Sequence, residues 1–467
     1  MKKTSFLVFP LLALILLPAT HRRAFAAAPH DAPAKAAVLF EVNSGEVLYE
    51  KNMRERRSPD NLVKVMMLLA AARAYENSAL DLDEVVTVEE SAWDGLEEGR
   101  GLARGERMRL ADLLYMAYFG VNDAACNAVA SAVAGGVGEF VEMMNAEARR
   151  LGCGDTKFTN THGKIDPEQY TTAWDLAVIM QEACRHSLFI QIAGTFKTAL
   201  PGTNYSDSRS ISSPNYMLSD TSKYYYLYAT AARTSGTYEN GYGLVASARR
   251  DDLSLVGVLL GASAVTLEDE STEMQNLTGG RELFEWGFNN FGWRNVLTSS
   301  ELIAEIPVKY GYGADNVILR PADSIRLLLD NDVAESDFTR DVTIYAIRDG
   351  ENLTAPIEKG DILGEVSVHL GGKECGAVRL VANTGVELQR LKYIEDQVKA
   401  ALGSKWVRFS IFLVFALFAA YAALVIRYNR IRRARLRRIS EAKRRIMDER
   451  RSGSVAGRDD HDREVFK

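Results

Sequence analysis

Residues 59–75 read PDNLVKVMMLLAAARAY. From Asn61 to Tyr75 the stretch is apolar almost all round and lacks the polar stripe of a surface helix, so it predicts a helix buried on every side. Such a helix needs layers of other elements around it. Upstream, Ala36–Phe40 and Val47–Tyr49 flank the turn-like Asn43-Ser44-Gly45 and read as two short strands with a tight connection. Downstream, Leu110–Ala134, which carries Asn122-Asp123, reads as two helices joined by a short loop. Val137–Leu151 is amphipathic and ends at Gly152, a C-cap candidate. Leu244–Ala248 and Leu253–Leu260 are apolar around the polar Arg249–Asp252, which predicts a hairpin central to a sheet.

Beyond about Asn295 the character changes. Short β-rich runs between Val308 and Leu380 (VILRP, SIRLLL, VTIYAI, GEVSVHL, GAVRL) alternate with Gly, Asp and Asn clusters and predict a small all-β domain. Val386–Lys405 is polar and reads as a helical stalk. Phe409–Ile426 then gives 18 residues without a formal charge, which at about 1.5 Å per residue approaches the roughly 30 Å hydrocarbon core of a bilayer. Trp406, Tyr421 and Tyr428 lie in or beside it, as aromatic residues do at bilayer interfaces. From Arg427 to Arg451 there are 12 Lys/Arg against Glu441, Asp448 and Glu449, and the positive-inside rule places such a tail in the cytoplasm. At the other end, Lys2 and Lys3, the apolar Phe6–Leu17 and the small-residue site Ala24-Phe25-Ala26 have the layout of a secretory signal peptide.

The expected organisation is a signal peptide (1–26), a main domain (27–295), a β-rich domain (296–385), a stalk (386–406), one transmembrane helix (407–428) and a basic cytoplasmic tail (429–467). The main body would lie outside the plasma membrane. Composition agrees with a folded protein: of 467 residues, 47% are hydrophobic and 25% charged, which excludes disordered, collagen-like and disulfide-scaffold classes. The net charge of −6 conceals an acidic segment 27–406, with 36 basic and 55 acidic residues, between basic flanks. That segment lacks the basic footprint of nucleic-acid recognition. Cys126, Cys153, Cys184 and Cys375 are widely spaced and show no metal-ligand pattern, so buried free thiols are expected, with no metal and no cofactor.

Four phrases resemble one family: LFEVNSGEVLYEKNMRERRSPDNLVKVM from Leu39, FGVNDAACNAVA from Phe119, FTNTHG with YTTAWDLAVIM from Phe158, and RTSGTYENGYGLVASARRDDLSLVGVLLGA from Arg233. They are similar to the low-molecular-mass penicillin-binding proteins, the serine D-alanyl-D-alanine carboxypeptidases that trim peptidoglycan stem peptides. The resemblance spans roughly Ala36–Leu380. It implies an α+β fold, with a DD-peptidase/β-lactamase-like domain in which helices flank an antiparallel sheet, followed by the small all-β domain and the membrane helix. It also implies three motifs. In S-x-x-K, a Ser nucleophile and a Lys one turn later share a helix face, so the amine can take the hydroxyl proton. S-x-N brings a hydroxyl and an amide to the cleft. K-T-G, on an edge strand, offers a cation and a hydroxyl to the substrate carboxylate, with a Gly that admits the substrate backbone.

Each motif is altered in this chain. Asn61 stands at the nucleophile position and Lys64 is kept at the general-base position. Gly120 stands where the second motif has Ser, and Asn122 remains. Arg233, Thr234 and Ser235 occupy the K-T-G positions, so that charge and hydroxyl persist while a side chain replaces the Gly. An amide nitrogen is not a usable acyl-transfer nucleophile, and losing a catalytic Ser costs on the order of a million-fold in rate. Asn is also among the best N-cap residues, so Asn61 is expected to keep the helix start. Lys64 is then expected as a satisfied buried cation bonded to Asn61 and Asn122. Arg233 reads either as a bidentate carboxylate ligand or as a surface cation, and Asn122 either as a substrate-amide ligand or as a helix cap. Thr171–Asp175 reads as a capped helix start. Ser58, before Pro59, does not face Lys64, and the single literal S-x-x-K, Ser440–Lys443, lies in the basic tail.

The functional expectation is a membrane-anchored carboxypeptidase homologue of peptidoglycan metabolism without catalysis, whose partner is a stem peptide or a cell-wall synthesis protein. The alternatives are an active carboxypeptidase with an unconventional nucleophile, and a scaffold acting through its β-domain or tail.

Overall fold

The structure is a computed structural model and describes residues 31–77, 80–96, 101–237, 240–348 and 352–452. The expected signal peptide lies outside them. The chain divides into two compact units.

The first unit is built on a five-stranded sheet. Its strands are β1 (Ala36–Glu41), β2 (Val47–Lys51), β3 (Ala229–Thr237), β4 (Gly241–Arg250) and β5 (Leu253–Ala262), in the order β2-β1-β5-β4-β3 with antiparallel pairing throughout. The expected hairpin is β4–β5, with β5 in the middle of the sheet. Side chains alternate between the faces of a strand, and both faces are covered here. Val38, Phe40, Val245, Val256 and Val258 join a core with the helices on one side. Leu39, Leu244, Leu255 and Leu259 join a second core that includes Phe284 and Phe288 on the other. These strands are therefore apolar on both faces rather than alternating.

The helical side carries α1 (Val63–Glu76), α2 (Leu110–Phe119), α3 (Ala124–Ala134), α4 (Val137–Arg150), α5 (Ala173–Ala183) and α6 (Ser187–Ala193). The opposite side carries α7 (Gln275–Asn290). Every residue from Val63 to Ala72 is buried, as the sequence of α1 predicts. At roughly 1.5–3 kcal/mol for each fully buried large aliphatic side chain, this helix is a principal contributor to the core. Thr172 caps α5, its hydroxyl accepting from the Asp175 amide at 3.0 Å.

The start of α1 differs from expectation. Asn61 is not its N-cap: Asp60–Leu62 forms a 3-10 turn, and Leu62 precedes the helix without a side-chain cap bond. Asp60 has φ +44°, outside the ordinary regions for a residue with a side chain. Gly163 makes room for this turn. A β-carbon at Gly163 would lie 2.3 Å from the Asp60 carbonyl oxygen, and its φ of +94° also excludes most side chains.

A second five-stranded sheet has β6 (Ala304–Pro307), β7 (Asn316–Pro321), β8 (Phe338–Ile344), β9 (Ile362–Leu370) and β10 (Lys373–Ala382), in the order β6-β7-β10-β9-β8. Two β-rich runs behave otherwise than expected. SIRLLL supplies Ile325–Asp330, which pairs with Phe291–Leu297 rather than joining this sheet. VTIYAI is a strand only as far as Ile344 and continues as the short helix α8 (Tyr345–Arg348). The stalk contains helix α9 (Arg390–Gly403). It leads into α10 (Lys405–Ser452), 48 residues in one continuous helix that includes the apolar run and much of the basic tail. This is one helix long and apolar enough to cross a membrane. All four cysteines are free; Cys126 and Cys153 are buried, Cys184 and Cys375 partly so.

Candidate functional site

The site lies where the start of α1, the α2–α3 junction and edge strand β3 meet. Lys64, only 1% exposed, sits in the first turn of α1. Its Nζ donates to Asn61 Oδ1 at 3.0 Å and to Asp123 Oδ1 at 2.9 Å. The Asn61 amide oxygen thus faces the amine from the nucleophile position. The second partner corrects the sequence expectation, because it is the carboxylate of Asp123 and not the amide of Asn122. Asn122 Oδ1 instead accepts from the Ala124 amide at 2.9 Å, one residue before Asp123, the N-cap of α3. Asp123 is partly exposed, so one end of this ion pair is buried and the other meets solvent.

Gly120 ends α2 in the left-handed conformation, φ +73°, with its amide directed to the Met116 and Ala117 carbonyls. Arg233 fills the space that this glycine leaves. Arg233 is 2% exposed, so it is neither a surface cation nor a guanidinium with a fully open fork. Nη1 donates to the Tyr118 carbonyl at 2.6 Å and Nε to the Asn61 carbonyl at 3.3 Å, with the guanidinium carbon 5.7 Å from the Tyr118 ring centre. Burial pulls the Arg233 guanidinium below its ordinary range, with smaller opposing effects from Tyr118, Cys126 and Asp123. Its Nη2 donates to no acceptor among the described residues.

Along β3, the Thr234 hydroxyl donates to the Pro214 carbonyl at 3.4 Å. Ser235 stands opposite Gly243 in the register, and its Oγ is 2.6 Å from where Gly243 would carry a β-carbon. The hydroxyl therefore occupies room that the neighbouring strand provides. Asn61, Lys64, Gly120, Asp123 and Arg233 thus converge, Asn122 is engaged with the start of α3, and Thr234 and Ser235 extend the same strand outward.

Two residues of the site escaped sequence reasoning as participants. Asp123 was visible in the phrase Gly120-Val121-Asn122-Asp123, and His162 in Thr161-His162-Gly163. The Thr161 hydroxyl is anchored to Asn127 Oδ1 of α3 at 2.7 Å. This places His162 within electrostatic reach of Asp123 and Lys64. Burial lowers the His162 pKa below 6.5, the Asp123 carboxylate opposing in part, and Nδ1 accepts from the Lys164 amide at 3.1 Å. Cys126, also close by, is pushed up to about 11 by burial, so it is an inert thiol at neutral pH.

Residues 23–264 match the family described as D-alanyl-D-alanine carboxypeptidase, peptidase S11, and the chain belongs to that family. It is a low-molecular-mass penicillin-binding protein homologue, and residues 293–388 match the C-terminal domain of penicillin-binding protein 5. It is 26% identical over 343 residues to the D-alanyl-D-alanine carboxypeptidase DacF of Bacillus subtilis, covering 73% of this chain and 82% of that one. It is 29% identical over 368 residues to DacC of Escherichia coli, covering 76% and 84%. Penicillin-binding protein 5 from Haemophilus influenzae superposes with a TM-score of 0.56 at 26% identity, covering 77% of this chain and 99% of that one. The fold, an α+β penicillin-binding-protein domain followed by an all-β domain, is the one that the resemblance implied.

Proposed function

We propose that this protein is a membrane-anchored D-alanyl-D-alanine carboxypeptidase homologue of cell-wall metabolism that has exchanged acyl transfer for binding. One observation carries this reading: at the nucleophile position an amide oxygen accepts a hydrogen bond from Lys64 Nζ. An amide oxygen that accepts from an ammonium has no proton to surrender, and no hydroxyl stands in its place. Ser58 offers no rescue, because its hydroxyl donates to Asp60 Oδ1 at 2.7 Å. The ion pair with Asp123 further commits the Lys64 ammonium to a charged partner.

In this reading the ligand is a peptidoglycan stem peptide or a cell-wall synthesis protein. Arg233 Nη2 is the edge left to meet a carboxylate. The domain division expected from sequence is retained, with residues 27–406 outside the plasma membrane and the basic tail in the cytoplasm. Helix α10 supports the anchoring.

The test is labelling of the purified full-length protein with a fluorescent β-lactam, beside the triple revertant Asn61→Ser, Gly120→Ser, Ser235→Gly. An adduct on the wild type overturns the loss of catalysis. Titration with a peptide ending in D-Ala-D-Ala, on wild type and Arg233→Ala, tests the binding half. Equal absence of response leaves the scaffold reading in its place.

A further inference from the structure

A polar pocket of about 160 Å³ opens beside the turn that precedes α1. Arg57, Ser58, Asp60, Ser235, Asn240 and Gly261 line it, whereas Lys64, Asp123 and Arg233 do not. It has room for several water molecules or one small organic molecule.

Asp60 dominates its chemistry. The residue is only 4% exposed. Its Oδ1 is occupied by the Ser58 hydroxyl at 2.7 Å and the Asn240 amide at 3.1 Å. Its Oδ2 accepts from no described residue and is not among the polar atoms sealed from solvent, so its open face is the pocket. Opposite in charge stands Arg57. Nη1 pairs with Glu55 at 2.6 Å, and the guanidinium lies against Gly261, where a β-carbon would be 3.0 Å from Nη2. Arg57 Nε and Nη2 donate to no acceptor among the described residues, and the Ser235 hydroxyl likewise has no partner among them. Arg57 and Asp60 share the pocket without pairing with each other.

The pocket therefore presents a cationic edge, an anionic oxygen and a hydroxyl, all with unused hydrogen-bonding capacity. A simple anion would be repelled by Asp60, and a simple cation by Arg57 and by Arg56, which also lines the pocket while paired with Asp155 at 2.7 Å. A small zwitterion satisfies both charges and buries no net charge. We infer that this pocket binds a free α-amino acid with a small side chain, its carboxylate on Arg57 and its ammonium on Asp60 Oδ2. Ser235, at a position where the family motif has no side chain, adds its hydroxyl to the ligand.

The inference is independent of whether the Lys64 site reacts with β-lactams. It is tested by calorimetric titration of the full-length protein in detergent with glycine, L-alanine and D-alanine, with acetate and methylammonium as half-ligands. Asp60→Asn suits the variant series because Asn tolerates the left-handed backbone and keeps an acceptor for Ser58; Arg57→Gln is its counterpart. The expected result is saturable binding of the small zwitterions that weakens by about tenfold or more in each variant and for each half-ligand, the loss of one charged contact. Absence of saturable binding to wild type, or binding that both variants retain, overturns the inference. Weakening in only one variant reassigns the pocket to a single ion and overturns it as well. If Asp60→Asn fails to fold, Arg57→Gln and the half-ligands on wild type decide.

Discussion

Arg233 Nη2 lies 2.9 Å from the point where Gly120 would carry a β-carbon. The two residues come from different segments of the chain, and a side chain at position 120 would compete with Arg233 for the same space. The long side chain enters a space that exists because the second motif has lost its own.

Gly120→Ser alone is therefore expected to destabilise the protein by about 2–3 kcal/mol. Roughly 1–2 kcal/mol comes from forcing a side chain into the left-handed conformation, and the rest from displacing the buried guanidinium. Adding Arg233→Lys should recover about 1 kcal/mol, a coupling typical of residues in contact. Urea unfolding of the wild type, both single variants and the double variant measures this; strictly additive costs would show that the two residues do not compete for space.

The same relationship bears on β-lactam labelling. The triple revertant keeps Arg233 against the new Ser side chain, so its β-lactam labelling should be slow. The quadruple variant that adds Arg233→Lys should label at least about tenfold faster, as one recovered hydrogen-bonded geometry warrants. Equal labelling rates would mean that Arg233 obstructs nothing.

Asp123→Asn should leave the Lys64 ammonium buried against two neutral amides. Breaking a buried ion pair costs roughly 3–5 kcal/mol, and the partial exposure of Asp123 lowers the expectation to about 1–3 kcal/mol. Lys64→Met with Asp123→Asn removes both charges and should be markedly more stable than Asp123→Asn alone. Denaturant midpoints compare the two. A double variant no better than the single would place the cost in the Asp123 carboxylate itself rather than in the orphaned ammonium.

His162 gives a pH dependence with a definite sign. Its folded pKa is held below the ordinary 6.5, chiefly by burial, so the unfolded chain takes up the proton first. The stability it contributes is complete above pH 6.5 and is lost as pH falls from 6.5 to the folded value, below which the loss levels off. Protonation also removes the Nδ1 acceptor of the Lys164 amide. Between about pH 7.5 and about pH 5.5, thermal midpoints of the wild type should fall more than those of His162→Gln. Parallel curves would remove His162 from the account.

The parts of the fold legible in the sequence are those written in local patterns. Helix α1 and the β4–β5 hairpin follow from apolar runs, and the Thr172 cap from its spacing to Asp175. Asn61 was legible as the residue standing where the resemblance places Ser, but it is not the expected cap, because the 3-10 turn gives its side chain a partner in Lys64. Whether Asn122 or Asp123 turns to that lysine depends on how α3 begins, which no spacing rule specifies. Arg233 reads as a bidentate carboxylate ligand or a surface cation, and neither sequence reading includes the strand pairing that turns it inward against Tyr118 and leaves only Nη2 unengaged, a contact between segments distant in the chain. The second half of VTIYAI has the composition of a strand, yet it folds into α8 after β8 ends.

Helix α10 contains neither Gly nor Pro from Lys405 to Ser452, and at about 1.5 Å per residue it extends roughly 70 Å. Without a breaker, the apolar stretch and the arginine-rich stretch behave as one shaft. A twist or tilt imposed on the first is delivered to the second with no hinge to absorb it, and the azimuth of each arginine is set by that of the apolar residues before it.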